Sequence, residues 1–335
     1  MSKKKRILLV VDNEKWAFYN IASNFQKYLK NDFDIDIVAM ERLNGNITDL
    51  FLFAQEYDLI HFFWRGFLLD LNNDYTESYI YNLGLSKTEF IDKYIKNKNI
   101  TTAVYDHKLL SSEEINEFCK YIKGYYVSSG LLKDLYEHLE LNKYPNCVIT
   151  DGVDLNLFKP KKDRFKNIKE RTINIGWVGN SKWNGQYDHK GLNTIIKPVI
   201  KELISEGYNI NLHLADSTER LRNREEMVEY YNEIDLYLCC SVNEGTPNPI
   251  LESFACGIPV ISTDVGIVRD LFGKNQKKYI MKERSQEELK RKILLFIENI
   301  DDVDLISKEN LEQIKKWSWD YKAKDFKKFI EESMD

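Results

Sequence analysis

No stretch of this chain comes near the run of about 20 apolar residues that a membrane-spanning helix needs, which excludes a spanning anchor. Cysteine is scarce and poorly placed for cross-linking. Cys119, Cys147, Cys239, Cys240 and Cys256 are odd in number, form no CxxC pair and lie mostly in or beside apolar stretches, so buried free thiols are expected. His/Cys clusters with zinc-ligand spacing are missing too. Neither sign of charge dominates: 48 Lys and Arg against 53 Asp and Glu give a net charge of −5, with the basic residues dispersed, so nucleic acid is not an expected partner. There is no internal repeat and no low-complexity tract. Met1-Ser-Lys-Lys-Lys-Arg6 runs straight into an apolar strand shorter than a signal-peptide core and without a small-residue cleavage site, so a cytoplasmic location is expected.

What the chain does have is 335 residues, 43% of them hydrophobic, enough for two domains with separate cores. Short apolar runs alternate with longer amphipathic stretches, the pattern of parallel sheets covered by helices. Strands are expected at 7–11, 35–39, 59–63, 102–105, 125–128 and 147–149, with helices at 16–29, 112–121 and 131–139. A polar segment follows, and the pattern restarts with strands at 173–178, 210–215, 236–240 and 259–263 and helices at 191–206, 224–234, 285–297 and 321–332. The expected division is a first α/β domain over 1–160, a linker over 161–171, a second α/β domain over 172–316 and a closing helix over 317–335. The aspartates Asp32, Asp34 and Asp36 read as an alternating strand edge and not as a metal site.

The stretch Asn243-Glu-Gly-Thr-Pro-Asn-Pro-Ile-Leu-Glu-Ser-Phe-Ala-Cys-Gly-Ile-Pro259 is the most informative. Asn248 suits an N-cap, Pro249 the first helical position, Gly257 a left-handed stop, and Pro259 prevents continuation. The short helix so defined presents amide groups and the positive end of its dipole to an anion, with Glu244 before it and Glu252 inside it. Phosphates flanked by two hydroxyl-rich rings match that arrangement.

This stretch resembles the signature of glycosyltransferase family 4, in which two glutamates are separated by seven residues, as Glu244 and Glu252 are. The resemblance implies the GT-B architecture, two Rossmann-like domains facing across a cleft, and retaining transfer from a nucleoside-diphosphate sugar to a hydroxyl acceptor, with surface polysaccharide or glycolipid assembly as the setting. It assigns the donor sugar to Glu244, the ribose to Glu252 and the diphosphate to Gly245, Thr246, Pro247, Asn248, Pro249 and Ile250. It implies no cofactor and no metal.

A second element follows the strand at 173–178. Gly179 allows close approach, Asn180 lies beside it, and Lys190 at the next helix start can meet diphosphate charge. The family's glycine turn and lysine-glycine element resemble Gly179 and Lys190-Gly191. The family's arginine is matched here by Lys182, a point charge in place of a fork.

On the acceptor side, the resemblance marks His107, with a role in catalysis beside Glu244 and Lys190. Arg65 follows a strand end, where open parallel sheets form their crevice. Trp16 reads either as part of the acceptor site or as core or hinge packing, and His61 as structural. The acceptor itself stays open among glycan, lipid-linked and protein hydroxyls, as does peripheral contact at the inner face of a membrane. Two alternatives stand beside transfer: a non-catalytic nucleotide-sugar-binding protein, or a nucleotide-sugar epimerase on the same fold.

Overall fold

The computed structural model describes residues 3–105, 110–182 and 187–335. Residues 1–151 and 319–335 form one compact unit and residues 152–318 a second.

The first unit is built on six parallel strands: β1 (Arg6–Val11), β2 (Asp34–Ala39), β3 (Leu59–Phe62), β4 (Asn99–Val104), β5 (Gly124–Val127) and β6 (Cys147–Val148). Their order is β2-β1-β3-β4-β5-β6. Leu8 to Val11 are fully buried because helices cover both faces, which is why β1 reads as a continuous apolar run and not an alternating one. The helices are α1 (Ala17–Leu29), α2 (Ile47–Phe53), α3 (Gly66–Leu69), α4 (Asp74–Asn82), α5 (Lys87–Tyr94), α6 (Ser112–Cys119) and α7 (Gly130–Glu137). Ser86 and Ser111 close capping boxes with Glu89 and Glu114, which satisfy the first amides of α5 and α6.

The second unit has five parallel strands: β7 (Ile173–Gly179), β8 (Ile210–Asp216), β9 (Leu236–Cys239), β10 (Val260–Thr263) and β11 (Ile280–Met281). Their order is β11-β10-β9-β7-β8. Around them lie α8 (Lys197–Ser205), α9 (Arg224–Glu233), α10 (Asn248–Ala255), α11 (Val268–Leu271), α12 (Gln286–Glu298) and α13 (Val303–Gln313). A π-helical turn, Leu192–Ile196, leads into α8, so the helix expected from 191 begins irregularly. α10 begins at Asn248 with Pro247 flanking it and no side-chain cap bond, one residue earlier than the expected Asn248 cap. Pro249 still falls in the first turn, where no amide partner is lost. The helix stops as its glycine suggests: Gly257 (φ +71°) donates to Phe254 O at 2.9 Å and Ile258 to Ser253 O at 2.9 Å, a Schellman pair.

The last helix, α14 (Trp319–Met334), belongs to the first unit. Trp319, Ala323, Phe326, Phe329 and Ile330 recur at helical spacing and are buried along one stripe. The Phe326 ring stacks on Phe25 with centroids 4.1 Å apart, and Lys327 pairs with Asp32 at 2.5 Å. Asp32 lies before β2, so only Asp34 and Asp36 share its strand face.

The expected boundary at 160 and linker over 161–171 move toward the N-terminus. Val153, Phe158, Phe165 and Ile168 are buried in cores of the second unit, and the Arg164 guanidinium donates to the carbonyls of Tyr231 and Ile234. A segment dense in charge hides these anchors from a composition-based boundary. All five cysteines are free, with Cys147 half-buried and the others buried.

Candidate active site

In an open parallel sheet the loops at strand C-termini part where the chain leaves one strand toward opposite sides, and a crevice opens there. In the second unit β7 has β8 on one side and β9 on the other, so that point lies at Gly179 and at the loop following Cys239.

The structure brings three of the expected residues together at this point. Lys190 Nζ lies 2.8 Å from Glu244 Oε1, and Ser241 Oγ donates to the same oxygen at 2.8 Å. Both members of the ion pair are largely covered, with side chains 25% and 19% exposed. Burial alone would lower the Lys190 pKa, but the charge and hydrogen bond of Glu244 outweigh it and hold the ammonium above its ordinary value. A Cβ on Gly179 would sit 2.7 Å from Lys190 Cδ, so the glycine is what lets the lysine stem cross the strand end.

The backbone carrying Lys190 is fixed by residues that sequence reasoning passed over. The Asp188 carboxylate accepts from the amides of Leu192, Asn193 and Thr194 at 3.1, 2.7 and 2.7 Å, closing the start of the π-helical turn. His189 Nε2 meets Asn243 Oδ1 at 2.8 Å, and Val242 N donates to His189 O at 3.0 Å. Arg284 spans the two loops, donating through Nε to Cys240 O at 2.8 Å and through Nη2 to Asp188 O at 2.7 Å. An acidic residue shortly before an amphipathic run is a capping signal that could have found Asp188. Nothing local marks Arg284.

Glu252 sits in α10, where the Tyr231 hydroxyl donates to its Oε2 at 2.7 Å. Burial pushes the carboxyl up to about 7, against the pull of that hydrogen bond and of the Arg224 charge. Tyr237, buried in β9, is within electrostatic reach of both Glu244 and Glu252, so the two carboxylates flank one region. Between them Gly245, Pro247 and Ile250 are buried, while Thr246, Asn248 and Pro249 are partly exposed. Asn180 is half-buried and folds its side chain back on the Lys182 amide at 2.9 Å; the Lys182 side chain is exposed and is not drawn into the cluster.

The first unit gathers its expected residues less closely. Trp16 is 62% exposed, so it is not core packing, and it flanks α1 without capping it. Arg65 is 1% exposed, with its guanidinium 5.1 Å from the centre of the Trp64 ring, so it is a covered side chain and not a surface one. His107 lies outside the described residues. His61 is structural: it is buried, bonded through Nδ1 to Thr101 Oγ1 at 2.9 Å and stacked on Tyr126.

Depressions beside Pro160 and Lys161 in the second unit are lined by the entering segment with α9 or with α13, and not by the strand ends. The strand ends carry the largely covered Lys190–Glu244 ion pair. Among the described residues, no helix is long and apolar enough to cross a membrane.

Comparison with known proteins agrees with this geometry. Residues 210–316 match the family model "Glycosyl transferases group 1", a span that contains Glu244 and Glu252 but not Lys190. An uncharacterized glycosyltransferase of Methanocaldococcus jannaschii, MJ1069, is 24% identical over 334 residues, 92% of this chain and 77% of that protein. TuaC of Bacillus subtilis, a glycosyltransferase provisionally assigned to teichuronic acid biosynthesis, is 41% identical over 58 residues, which is 17% of this chain and only 15% of that protein. Sucrose-phosphate synthase from Thermosynechococcus elongatus superimposes with a TM-score of 0.70 over 98% of this chain and 99% of that one, at 12% identity. Anabaena HepE, solved in complex with UDP-glucose, gives 0.66 over 98% and 99%, at 13% identity. These structural likenesses establish the fold. The chain thus has the GT-B fold of two Rossmann-like α/β units, and residues 210–316 of its second unit are similar to the group 1 glycosyltransferases.

Proposed function

We propose that this protein transfers a sugar from a nucleoside-diphosphate sugar to a hydroxyl acceptor, with retention of configuration and without a metal. The observation that carries the reading is the Lys190–Glu244 pair at the sheet's switch point, next to the start of α10. A lysine already held at that point by a carboxylate is placed to exchange its partner for a diphosphate. The charge growing on the leaving phosphate would be met by Lys190 and by the amides of α10, which is how a fixed cation and a helix start lower such a barrier. Glu244, released from the lysine, would hold sugar hydroxyls. Glu252 would take the ribose hydroxyls, and the departing phosphate oxygen would accept the proton of the incoming acceptor hydroxyl on the same face of the sugar. HepE, of the same fold, was solved with UDP-glucose, which supports a nucleotide-sugar donor. The assignment of TuaC to teichuronic acid biosynthesis favours a surface polysaccharide as the product.

The test is a thermal-shift panel of UDP, GDP, ADP and their glucose conjugates on wild type and on Glu252→Ala, each with magnesium and with chelator. A nucleotide that binds the folded state raises its stability by about 2.7 kcal/mol at 100 times its dissociation constant. One nucleotide should give a shift that survives chelation and is weaker in Glu252→Ala. A shift that vanishes with chelator would overturn metal independence, and none with any nucleotide at millimolar concentration would remove the donor site.

A further inference from the structure

We propose that Tyr231 is the positioning residue for Glu252: its hydroxyl fixes one carboxylate oxygen and keeps the other ready for the hydroxyl pair of a ribose. The inference rests on the donor-site reading above and extends it to a residue outside the glutamate-bearing loop.

Tyr231 has no freedom of its own. Its ring is fully buried, edge-on to Phe158 with centroids 6.0 Å apart and to Tyr230 at 5.5 Å. The neighbouring Tyr230 hydroxyl lies 3.0 Å from both Trp177 O and His213 O, its one proton shared between them, and the Arg164 guanidinium holds the Tyr231 carbonyl. α9 is therefore pinned to β7, β8 and the entering segment, and the hydroxyl that it carries is pinned with it. That hydroxyl donates to Glu252 Oε2 at 2.7 Å. An acid side chain in a helix has three rotatable bonds; a fixed donor on one oxygen selects one arrangement before ligand arrives, which lessens the ordering cost on binding.

The same contact governs charge. A carboxylate accepts through both oxygens, while the protonated acid gives up part of that capacity, so a ribose hydroxyl pair is better held by the ionised form. Burial raises Glu252 to about 7, and the Tyr231 hydrogen bond works against that rise. The other groups facing it keep their charge around neutrality. Tyr231 and Tyr237 are held well above the ordinary tyrosine range by burial, and Cys256 is pushed up to about 12 by burial. Glu252 is thus the group of this set that titrates near pH 7.

The experiment is calorimetric binding of UDP-glucose, GDP-glucose and ADP-glucose, whose doubly esterified phosphates do not titrate near neutrality, and of the 2′,3′-dideoxy form of whichever binds best, from about pH 6 to about pH 8.5. In wild type, affinity should climb through about pH 7 and then level. Tyr231→Phe keeps the ring and removes the donor. It should bind about tenfold more weakly on the plateau, the scale of one hydrogen bond to a charged group, with its midpoint moved to higher pH. Glu252→Gln should be weak and flat with pH, and adding Tyr231→Phe to it should cost nothing more, because the tyrosine acts through the glutamate. The dideoxy nucleotide should bind wild type and Tyr231→Phe alike. A Tyr231→Phe midpoint that stays in place, or a further loss in the double variant, would overturn the positioning role while leaving the donor site standing. A Glu252→Gln variant that matches wild type at every pH, or a wild type that binds none of the nucleotides, would bring down the donor-site reading itself and this proposal with it.

Discussion

Burial acts on His61 in the first unit, which is fully enclosed, and on Glu252 in the second, which is partly so, and the results are opposite. The imidazole is boxed in by Phe63, Tyr126, Phe326 and Phe329, with Thr101 as its hydrogen-bonding partner on Nδ1, and burial drives it down to about 3. It is neutral at any ordinary pH and is part of the packing. The carboxyl of Glu252 lies in the helix that starts at a strand-end crevice, close to an arginine charge and a fixed hydroxyl, and is lifted only to about 7. Desolvation alone does not make a functional residue. What separates the two is the company: an aromatic box leaves no role for charge, whereas Glu252 keeps a charge state within reach of neutrality at the place where the sheet opens. On this reading His61 serves the shape of the first unit's core, and Glu252 serves charge at the second unit's strand ends.

The largest effect should come from removing that charge. Lys190→Ala deletes the cation placed for the diphosphate, and loss of one such preorganised donor costs about 10²- to 10³-fold in turnover. Turnover measured with the donor identified by thermal shift should fall by that much, while hydrogen exchange in the first unit stays as in wild type. A loss smaller than about fivefold would mean that Lys190 serves only to neutralise Glu244.

A smaller effect, of opposite sign in the two units, should appear in stability against pH. Between pH 6.5 and about 3 the unfolded His61 binds a proton that the folded one refuses, so the first unit loses stability as pH falls through that window. Between pH 4.5 and about 7 the folded Glu252 keeps a proton that the unfolded one releases, so the second unit gains stability as pH falls. Each slope is up to about 1.4 kcal/mol per pH unit. Hydrogen exchange followed by mass spectrometry reads the units separately. His61→Asn should flatten the first slope and Glu252→Gln the second. If acidification weakens both units alike and the variants follow wild type, the contrast drawn from these two residues fails.

Much of this was legible in the sequence. The apolar runs located ten of the eleven strands to within a few residues, because both faces of a parallel sheet are buried and leave an uninterrupted signal. β11, two residues long, has no run to show. Helices α2, α3, α4, α5, α11 and α13 were not among the expected elements: α3 and α11 are four residues long, α2 and α5 span about two turns, and α4 and α13 bury only a few residues each along otherwise polar sequences. In the site, Lys190, Glu244 and Gly179 stood in a recognisable pattern, and the structure adds their mutual contact. Arg284 and Tyr231 did not stand out, since each acts on a partner far away in the chain, and only the fold sets Arg284 beside Asp188 or Tyr231 beside Glu252.

The smallest expected effect falls on Trp16, and it is the sharpest test of the first unit. In that sheet β1 lies between β2 and β3, so its own switch point falls at the loop after Val11. The loop is tied down through polar contacts: Glu14 N donates to Glu41 Oε1 at 3.1 Å, Lys15 N to Asn13 Oδ1 at 2.8 Å, and Arg42 pairs with Glu14 at 2.5 Å. Trp16 closes this loop yet remains 62% exposed, a large apolar side chain that the fold does not cover. Substitutions at such exposed positions usually change stability by less than about 0.5 kcal/mol, so Trp16→Ala should melt with wild type. If the ring stacks on an acceptor, the variant should raise the acceptor KM and leave slow hydrolysis of the donor unchanged, since that reaction needs the second unit's charges and no acceptor. The reverse pattern, a lower melting temperature with an unchanged acceptor KM, would return Trp16 to packing and move the search for the acceptor contact elsewhere in the first unit.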